Sequence, residues 1–370
     1  MSGLVILGLI ALSIMLSVWT LFREVKPVWR FKIPEAPKGD AAFFKTIFDY
    51  SAPSGQAHAP SLTEDQGAVA LLWFEGSAEA QADVDIYAVR LEKNGGELAP
   101  GPKHARITRS GLGQAMDPEQ LVVTLGNTIE AGRPNEVLAT IVSIGGWAMA
   151  SVADIKLGPD GPVRGRKLNL SPFLNRSNLV KSPLLLFEDG HRGLPSYFEL
   201  GSAYGVLARI NGQGRVCDTR RLTGSGKPIQ PMIVPLNALN AVAFLRDLAG
   251  SGQLLISRSF DGGQHWTSVE PAGLANPNAP VAALLLNEDL ILVVANDDPH
   301  GGDRLSLLTY RPSTAAWHHL RELEANGVNA RYPVLRLNED GTILLAYSTG
   351  NKTGLRLHHF SRSWAEAGGE

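Results

Sequence analysis

Six short polar turns, each leading into an apolar run, recur along this chain at near-constant spacing. They are Glu64-Asp65-Gln66-Gly67 before AVALLWF, Pro134-Asn135-Glu136 before VLATIVSI, and Glu188-Asp189-Gly190 before LPSYFEL. The others are Asn237-Ala238-Leu239-Asn240 before AVAFL, Asn287-Glu288-Asp289 before LILVVAN, and Glu339-Asp340-Gly341 before TILLAYS. Taking positions 64, 136, 188, 237, 288 and 339, the steps are 72, 52, 49, 51 and 51 residues. Gly, Asn and Asp supply the left-handed and side-chain-capped conformations that tight turns need, and short β-rich runs follow them. A period of about 50 residues with several strands per unit is the signature of a propeller whose blades bury their faces on one another. The expected architecture is therefore all-β, a six-bladed β-propeller. The long first step implies an insertion of roughly one hairpin between Gly101 and Pro118.

One further hairpin stands out. Ser259, Asp261, Gly263 and Trp266 have the spacing S-x-D-x-G-x-x-W, in which the carboxylate caps turn amides, a glycine takes a left-handed position and the indole covers the blade edge.

Gly3 to Phe22 is an uncharged, mostly apolar run long enough as a helix to cross a hydrocarbon core of about 30 Å. It has no basic n-region and no small-residue cleavage site after it, so an uncleaved anchor is expected rather than a removed signal peptide. The chain divides into an anchor and flank (1–31), a Pro-rich linker (32–40) and the propeller (41–370). Arg23, Lys26, Arg30 and Lys32 follow the helix and by charge alone favour a cytoplasmic propeller. A propeller on the opposite, periplasmic or extracellular side is the reading kept here against those charges.

Lys and Arg number 34 against 36 Asp and Glu, a net charge of −2, which gives no field for nucleic acid. The single cysteine, Cys217, reads as a packed thiol and allows no cysteine-based zinc cluster. Gly224-Ser225-Gly226-Lys227 lacks the Ser or Thr and the helix of a phosphate loop. His318-His319 and His358-His359 are adjacent and point to opposite faces of a strand, so no metal site is expected and no cofactor is implied.

Loops at one mouth of a propeller carry its ligands. The stretch from Trp73 to Asp85 places Glu79 and Asp83 between two strands. There a carboxylate in a partly dry pocket acts as general acid, while the same loop reads equally as a solvated acidic turn. Tyr197 and Glu199 share a strand face, a phenol beside a carboxylate, or simply a packed tyrosine. Arg246, Asn276 and Tyr347 lie at further strand ends, where an arginine serves as an anion or hydroxyl clamp.

With WFEGSAEAQADVDIY, GGWAMAS, SPFLNRSNLVKSP, LPSYFEL, IQPMIV, FLRD, SRSFDGGQHW, NPNAP and RYPVLRLNEDGTILLAYS in view, the chain from about residue 60 to 364 resembles the bacterial sialidase-like (BNR-repeat, Asp-box) propellers, a family that includes exo-α-sialidases. The resemblance implies a glycoside hydrolase with a tyrosine nucleophile, its partner glutamate and a separate acid/base. By motif, Asp83 resembles the acid/base and Tyr332 the nucleophile, with Glu79 as the other acid and Glu199 as the activating base. Arg246, Arg304, Lys181 and Gln230, with Tyr197, Asn276 and Tyr347, would contact a terminal sugar of a glycan or exopolysaccharide. The family's arginine clamp for a sialic acid carboxylate departs here: its first arginine is expected near His58-Ala59-Pro60-Ser61, where there is none, and the arginine before the Asp-box falls at Leu254, while Arg246 survives; the family's glutamate before the fourth-repeat turn falls at Pro235. The sugar thus need not be sialic acid. A non-catalytic propeller binding glycan or protein in an envelope assembly is the alternative.

Overall fold

The computed structural model describes residues 3–23, 27–34, 41–95, 97–171 and 175–369. Residues 44–361 form six antiparallel sheets arranged as blades around a central channel. The first four strands of blade 1 are Gln56–Asp65, Ala68–Gly76, Asp85–Asn94 and Glu97–Pro100. Blades 2 to 5 occupy residues 124–167, 178–222, 228–275 and 282–324. Each of the six recurrent turns joins the innermost strand of its blade to the second. The apolar runs that follow are therefore second strands, one position further from the axis than an innermost strand.

Burial explains why those runs lack polar alternation. A sheet that packs on a neighbour at both faces has no solvated side. Accordingly Leu290–Asn296 is buried at every position, whereas the outer strand Val216–Leu222 alternates. One apolar cluster fills each of the six blade–blade contacts, for example Leu72, Ile86, Val137 and Ile155 between blades 1 and 2, and Leu292, Leu307, Leu345 and Phe360 between blades 5 and 6.

The ring is closed by the two ends of the domain. Blade 6 takes Arg331–Leu337, Thr342–Thr349 and Gly354–Ser361 from the C-terminal end and Phe44–Ser51 from the N-terminal end, paired from Phe44↔Phe360 to Ser51↔Gly354. The long step between the first two turns holds the short strand His104–Ile107, which joins blade 1, and the helix Arg109–Ala115, not a hairpin. Cys217 is exposed on an outer strand, not packed: it follows the outward half of the alternation there. The Asp-box turn forms as its spacing predicts. Asp261 Oδ1 accepts from His265 N–H at 2.9 Å, Ser259 Oγ from Gly263 N–H at 2.9 Å, and Trp266 Nε1 donates to Gly263 O at 3.1 Å.

Gly3–Arg23 is one helix whose first 18 residues have a mean hydropathy of 2.3, apolar enough to cross a membrane. Residues 27–33 pack on the propeller, so the expected 31/32 boundary falls inside a docked segment; the linker beyond residue 34 lies outside the described residues.

Candidate functional site

The inner strands share a device that aims side chains into the channel mouth. In blade 1 the register runs from His58↔Phe74 to Ser61↔Leu72, in blade 2 from Leu125↔Ile141 to Thr128↔Ala139, in blade 4 from Ile229↔Arg246 to Met232↔Phe244, and in blade 6 from Arg331↔Ser348 to Val334↔Ala346. Two residues of the inner strand thus face one of its partner, a β-bulge. Ala59, Gln230 and Tyr332 sit in three of these bulges with φ of 52°, 51° and 58°. All three are non-glycine residues held in the left-handed region, a conformation that persists only when its surroundings hold it. A proline follows each one, which the ladder tolerates because its missing N–H falls at the bulge. Ala59 N–H donates to Ser348 Oγ of blade 6 at 3.0 Å, so the bulge is tied across the ring closure.

Tyr332, Tyr197, Glu199, Glu79 and Gln230 line one pocket of about 70 Å³ at the mouth, walled by Trp147, Phe74 and Leu179. Trp147 lies against Gly126, where an added Cβ would stand 2.9 Å from the indole. Only glycine leaves room for the ring at that wall. Tyr197 is buried, and Gln230 Nε2 donates to its hydroxyl at 3.1 Å. Burial pushes the Tyr197 phenol far above its ordinary value, and the neighbouring Tyr332 and Glu199 add to this. Burial likewise raises Glu199, with Glu79 acting in the same direction and Arg246 opposing. Two carboxylates therefore share the pocket. Glu79 is paired with Lys352 at 2.5 Å, while Glu199 is the one whose neutral form is favoured. Arg246 stands behind Gln230, donating through Nε to Asn278 Oδ1 at 2.5 Å and through Nη1 to Gln230 Oε1 at 3.3 Å.

His58 occupies the position where the resemblance places the first clamp arginine. It is buried, its ring 4.5 Å from that of Tyr332 and 5.4 Å from that of Phe74, and neither ring nitrogen has a hydrogen-bond partner. Burial, with Lys352 and Arg331 nearby, lowers its pKa to about 3, so the imidazole is neutral. A neutral ring cannot replace a guanidinium as an anion clamp.

Other expected residues are not brought together here. Asp83 is exposed and caps its own loop, accepting from Ser77 N–H at 2.9 Å and Ser77 Oγ at 3.0 Å; these bonds hold it below the ordinary carboxylate value, the wrong direction for an acid at neutral pH. Lys181 crosses the channel, donating to Val281 O at 2.9 Å and Pro333 O at 2.5 Å, with burial lowering its pKa to about 7. It staples three inner strands. Arg304 pairs with Asp297 at 3.0 Å in blade 5, and Asn276 is buried, capping Ala279 N–H at 2.8 Å. Tyr347 is buried between blades, its hydroxyl donating to Glu324 at 2.9 Å and 2.8 Å from His358 Nε2. Conversely, Trp147 and His58 carry no catalytic signal in the sequence, and the structure adds them to the site. The recurrent residue-before-proline at inner-strand starts (HAP, IQP, RYP) is the signal that finds the bulges. No group of three or more metal-binding side chains occurs among the described residues.

A model of the BNR repeat-like domain matches residues 67–345. No curated protein matches this sequence. Among solved structures, a Trypanosoma rangeli sialidase bound to the inhibitor DANA superposes with a TM-score of 0.59 at 11% identity, over 83% of this chain and 55% of that one. A Hadza microbial sialidase gives 0.60 at 13% identity over 84% and 68%. A Dyadobacter fermentans protein of unknown function gives 0.61 at 14% identity over 86% and 99%. This chain thus spans little more than half of the trypanosomal sialidase, and at these identities the likeness is one of fold. Six blades, four of them with the inner-strand bulge, the formed Asp-box and the domain match together place the chain in the BNR repeat-like domain family of sialidase-like propellers.

Proposed function

We propose that this protein is a sialidase-like exo-glycoside hydrolase, held to a membrane by Gly3–Arg23 with its propeller on the periplasmic or extracellular side. The carrying observation is that Tyr332, Glu199 and Glu79, from blades 6, 3 and 1, line one pocket at the channel mouth. In this reading Tyr332 attacks the anomeric carbon, and Glu199, whose raised pKa makes it a stronger base than an ordinary carboxylate, takes the phenolic proton. Glu79, which lines the pocket where Asp83 does not, is the carboxylate beside the leaving-group oxygen, and the proton that oxygen takes up comes from the Glu79–Lys352 pair, in the retaining logic with tyrosine as nucleophile. Gln230 and Arg246 position the sugar. Neutral His58 in place of a clamp arginine favours a sugar without a carboxylate on its anomeric carbon.

The test is hydrolysis by the full chain in detergent of a panel of aryl glycosides, one of them a sialoside, with Tyr332→Phe and Glu199→Gln as controls. Turnover of a neutral glycoside, lost in Tyr332→Phe and strongly slowed in Glu199→Gln, is expected; turnover unaffected by either variant refutes the assignment. A second reading, a glycan-binding propeller without catalysis, is favoured by the small volume of the pocket and by the capped, exposed Asp83. Silence across the panel with saturable glycan binding selects it.

A further inference from the structure

The segment between the apolar helix and the first strand is folded onto the propeller. Val28 N–H donates to Asp189 Oδ2 at 3.0 Å, Phe31 N–H to Ala238 O at 2.8 Å and Lys32 N–H to Leu186 O at 2.8 Å, while Glu188 N–H donates back to Arg30 O at 2.9 Å. Arg30 Nε pairs with Glu188 at 2.8 Å. Trp29 and Phe31 are buried, Phe31 stacked on Phe187 at 5.2 Å, and the Arg209 guanidinium lies over Trp29 at 4.9 Å and Phe187 at 4.0 Å while donating to Val28 O at 2.9 Å. The Asp-box is built against the same strap: a Cβ on Gly262, whose φ is +75°, would stand 1.9 Å from Trp29 O.

This strap crosses the turns Glu188-Asp189-Gly190 of blade 3 and Asn237-Ala238-Leu239-Asn240 of blade 4. Those turns lie at the end of the blades away from the mouth. Strand Arg192–Phe198 runs from the turn end to Glu199; seven residues at ~3.3 Å each separate the two faces by about 20 Å. The apolar helix ends at Arg23, and the three residues between it and Pro27 reach about 14 Å when fully extended. The turn face also presents Val28, Leu186 and Leu239, which are 42%, 40% and 41% exposed.

We propose that the strap and its short tether fix the propeller on the membrane with the turn face of blades 3 and 4 against the lipid surface and the mouth pocket facing away. The bilayer that holds the helix is the partner of this face. The inference rests on the anchor reading of Gly3–Arg23, and it is independent of catalysis. Joined to the proposed function, it means that the sugar must be presented roughly 20 Å or more above the lipid surface, as the end of an extended glycan chain rather than a lipid headgroup in the same leaflet.

The test uses the full chain with Cys217→Ser, reconstituted in phosphatidylcholine vesicles containing nitroxide-headgroup lipid. A fluorescent probe is placed at Leu239→Cys on the turn face or at Ala82→Cys in the exposed mouth loop. Severalfold stronger quenching at 239 than at 82 is expected; equal or reversed quenching overturns the orientation. Inserting twelve Gly and Ser residues before Pro27 leaves the strap in place and lengthens the tether. A reduced contrast is then expected, and an unchanged contrast overturns the role of the tether. Failure of the labelled chain to float with the vesicles overturns the anchor reading and this inference with it, while leaving the glycosidase assays untouched.

Discussion

Replacing His58 by glutamine removes one of two buried, neutral imidazoles, and the consequence for stability has a defined sign and size. In the unfolded chain a histidine binds its proton near pH 6.5, whereas in the fold His58 does so only near pH 3. Between those values the unfolded state carries the extra proton, so stability falls as pH falls below about 6.5 and the loss is complete near pH 3. At pH 5 the deficit is 1.5 units at ~1.4 kcal/mol per unit, or about 2 kcal/mol. His358, lowered to about 4 by burial and by Arg356 and Arg321, contributes about as much again over the same interval. The assay is urea unfolding of the full chain in detergent, followed by tryptophan fluorescence at pH 7 and pH 5. His58→Gln shifts the baseline at both values through lost packing against Tyr332 and Phe74, but the fall from pH 7 to pH 5 is expected to shrink by about 2 kcal/mol relative to the parent. An unchanged fall refutes the picture of a dry, neutral imidazole beside Tyr332.

Three further outcomes follow from the same geometry. Phe44, whose ring stacks on Phe360 at 5.2 Å and lies 4.7 Å from Trp364, holds the closing strand; Phe44→Ala is expected to cost about 2–3 kcal/mol, somewhat less than for a fully buried phenylalanine, read as a lowered urea midpoint. Gly262→Ala drives its methyl into Trp29 O and lifts the strap, so limited trypsin digestion is expected to cut at Arg30 and Lys32 in the variant while sparing the parent. If Glu199 takes the phenolic proton, kcat/KM rises with pH through a value above the ordinary carboxylate range, and the residual activity of Glu199→Gln lacks that limb of the profile.

The blades were legible because turn chemistry is local: Asp, Asn and Gly at fixed offsets mark the innermost hairpin of every blade, and the Asp-box residues form the bonds their spacing implies. Ring closure was not legible. Phe44–Ser51 pairs with Gly354–Ser361 across some three hundred residues, and an eight-residue strand carries no sign of so distant a partner. At the site, Glu199 and Tyr197 could be placed together by strand alternation, and Tyr332 by motif. The choice between Glu79 and Asp83 depended on a loop conformation, in which Ser77 N–H and Oγ hold the Asp83 carboxylate and Lys352 draws on Glu79. Tyr347 and Asn276 look like mouth residues in a linear reading because each ends an apolar run. Each instead satisfies buried polar groups within or between blades, which depends on packing that sequence spacing does not encode. Lys181 is a similar case: its length lets it reach carbonyls on the far side of the channel, so its N–H donors serve the ring rather than a ligand.

The most direct test of the central claim, that the mouth pocket performs retaining glycoside hydrolysis through Tyr332, is covalent trapping. The full chain is incubated with fluorinated aryl glycosides matching the panel and with 2,3-difluorosialic acid, a compound carried as a covalent intermediate by the trypanosomal sialidase, and the product is read by intact mass and peptide mapping. A single glycosyl adduct on Tyr332, absent in Tyr332→Phe and slowed in Glu199→Gln, is the predicted result. An adduct on another residue, or turnover of the parent glycoside by the Tyr332→Phe variant at an undiminished rate, contradicts the account.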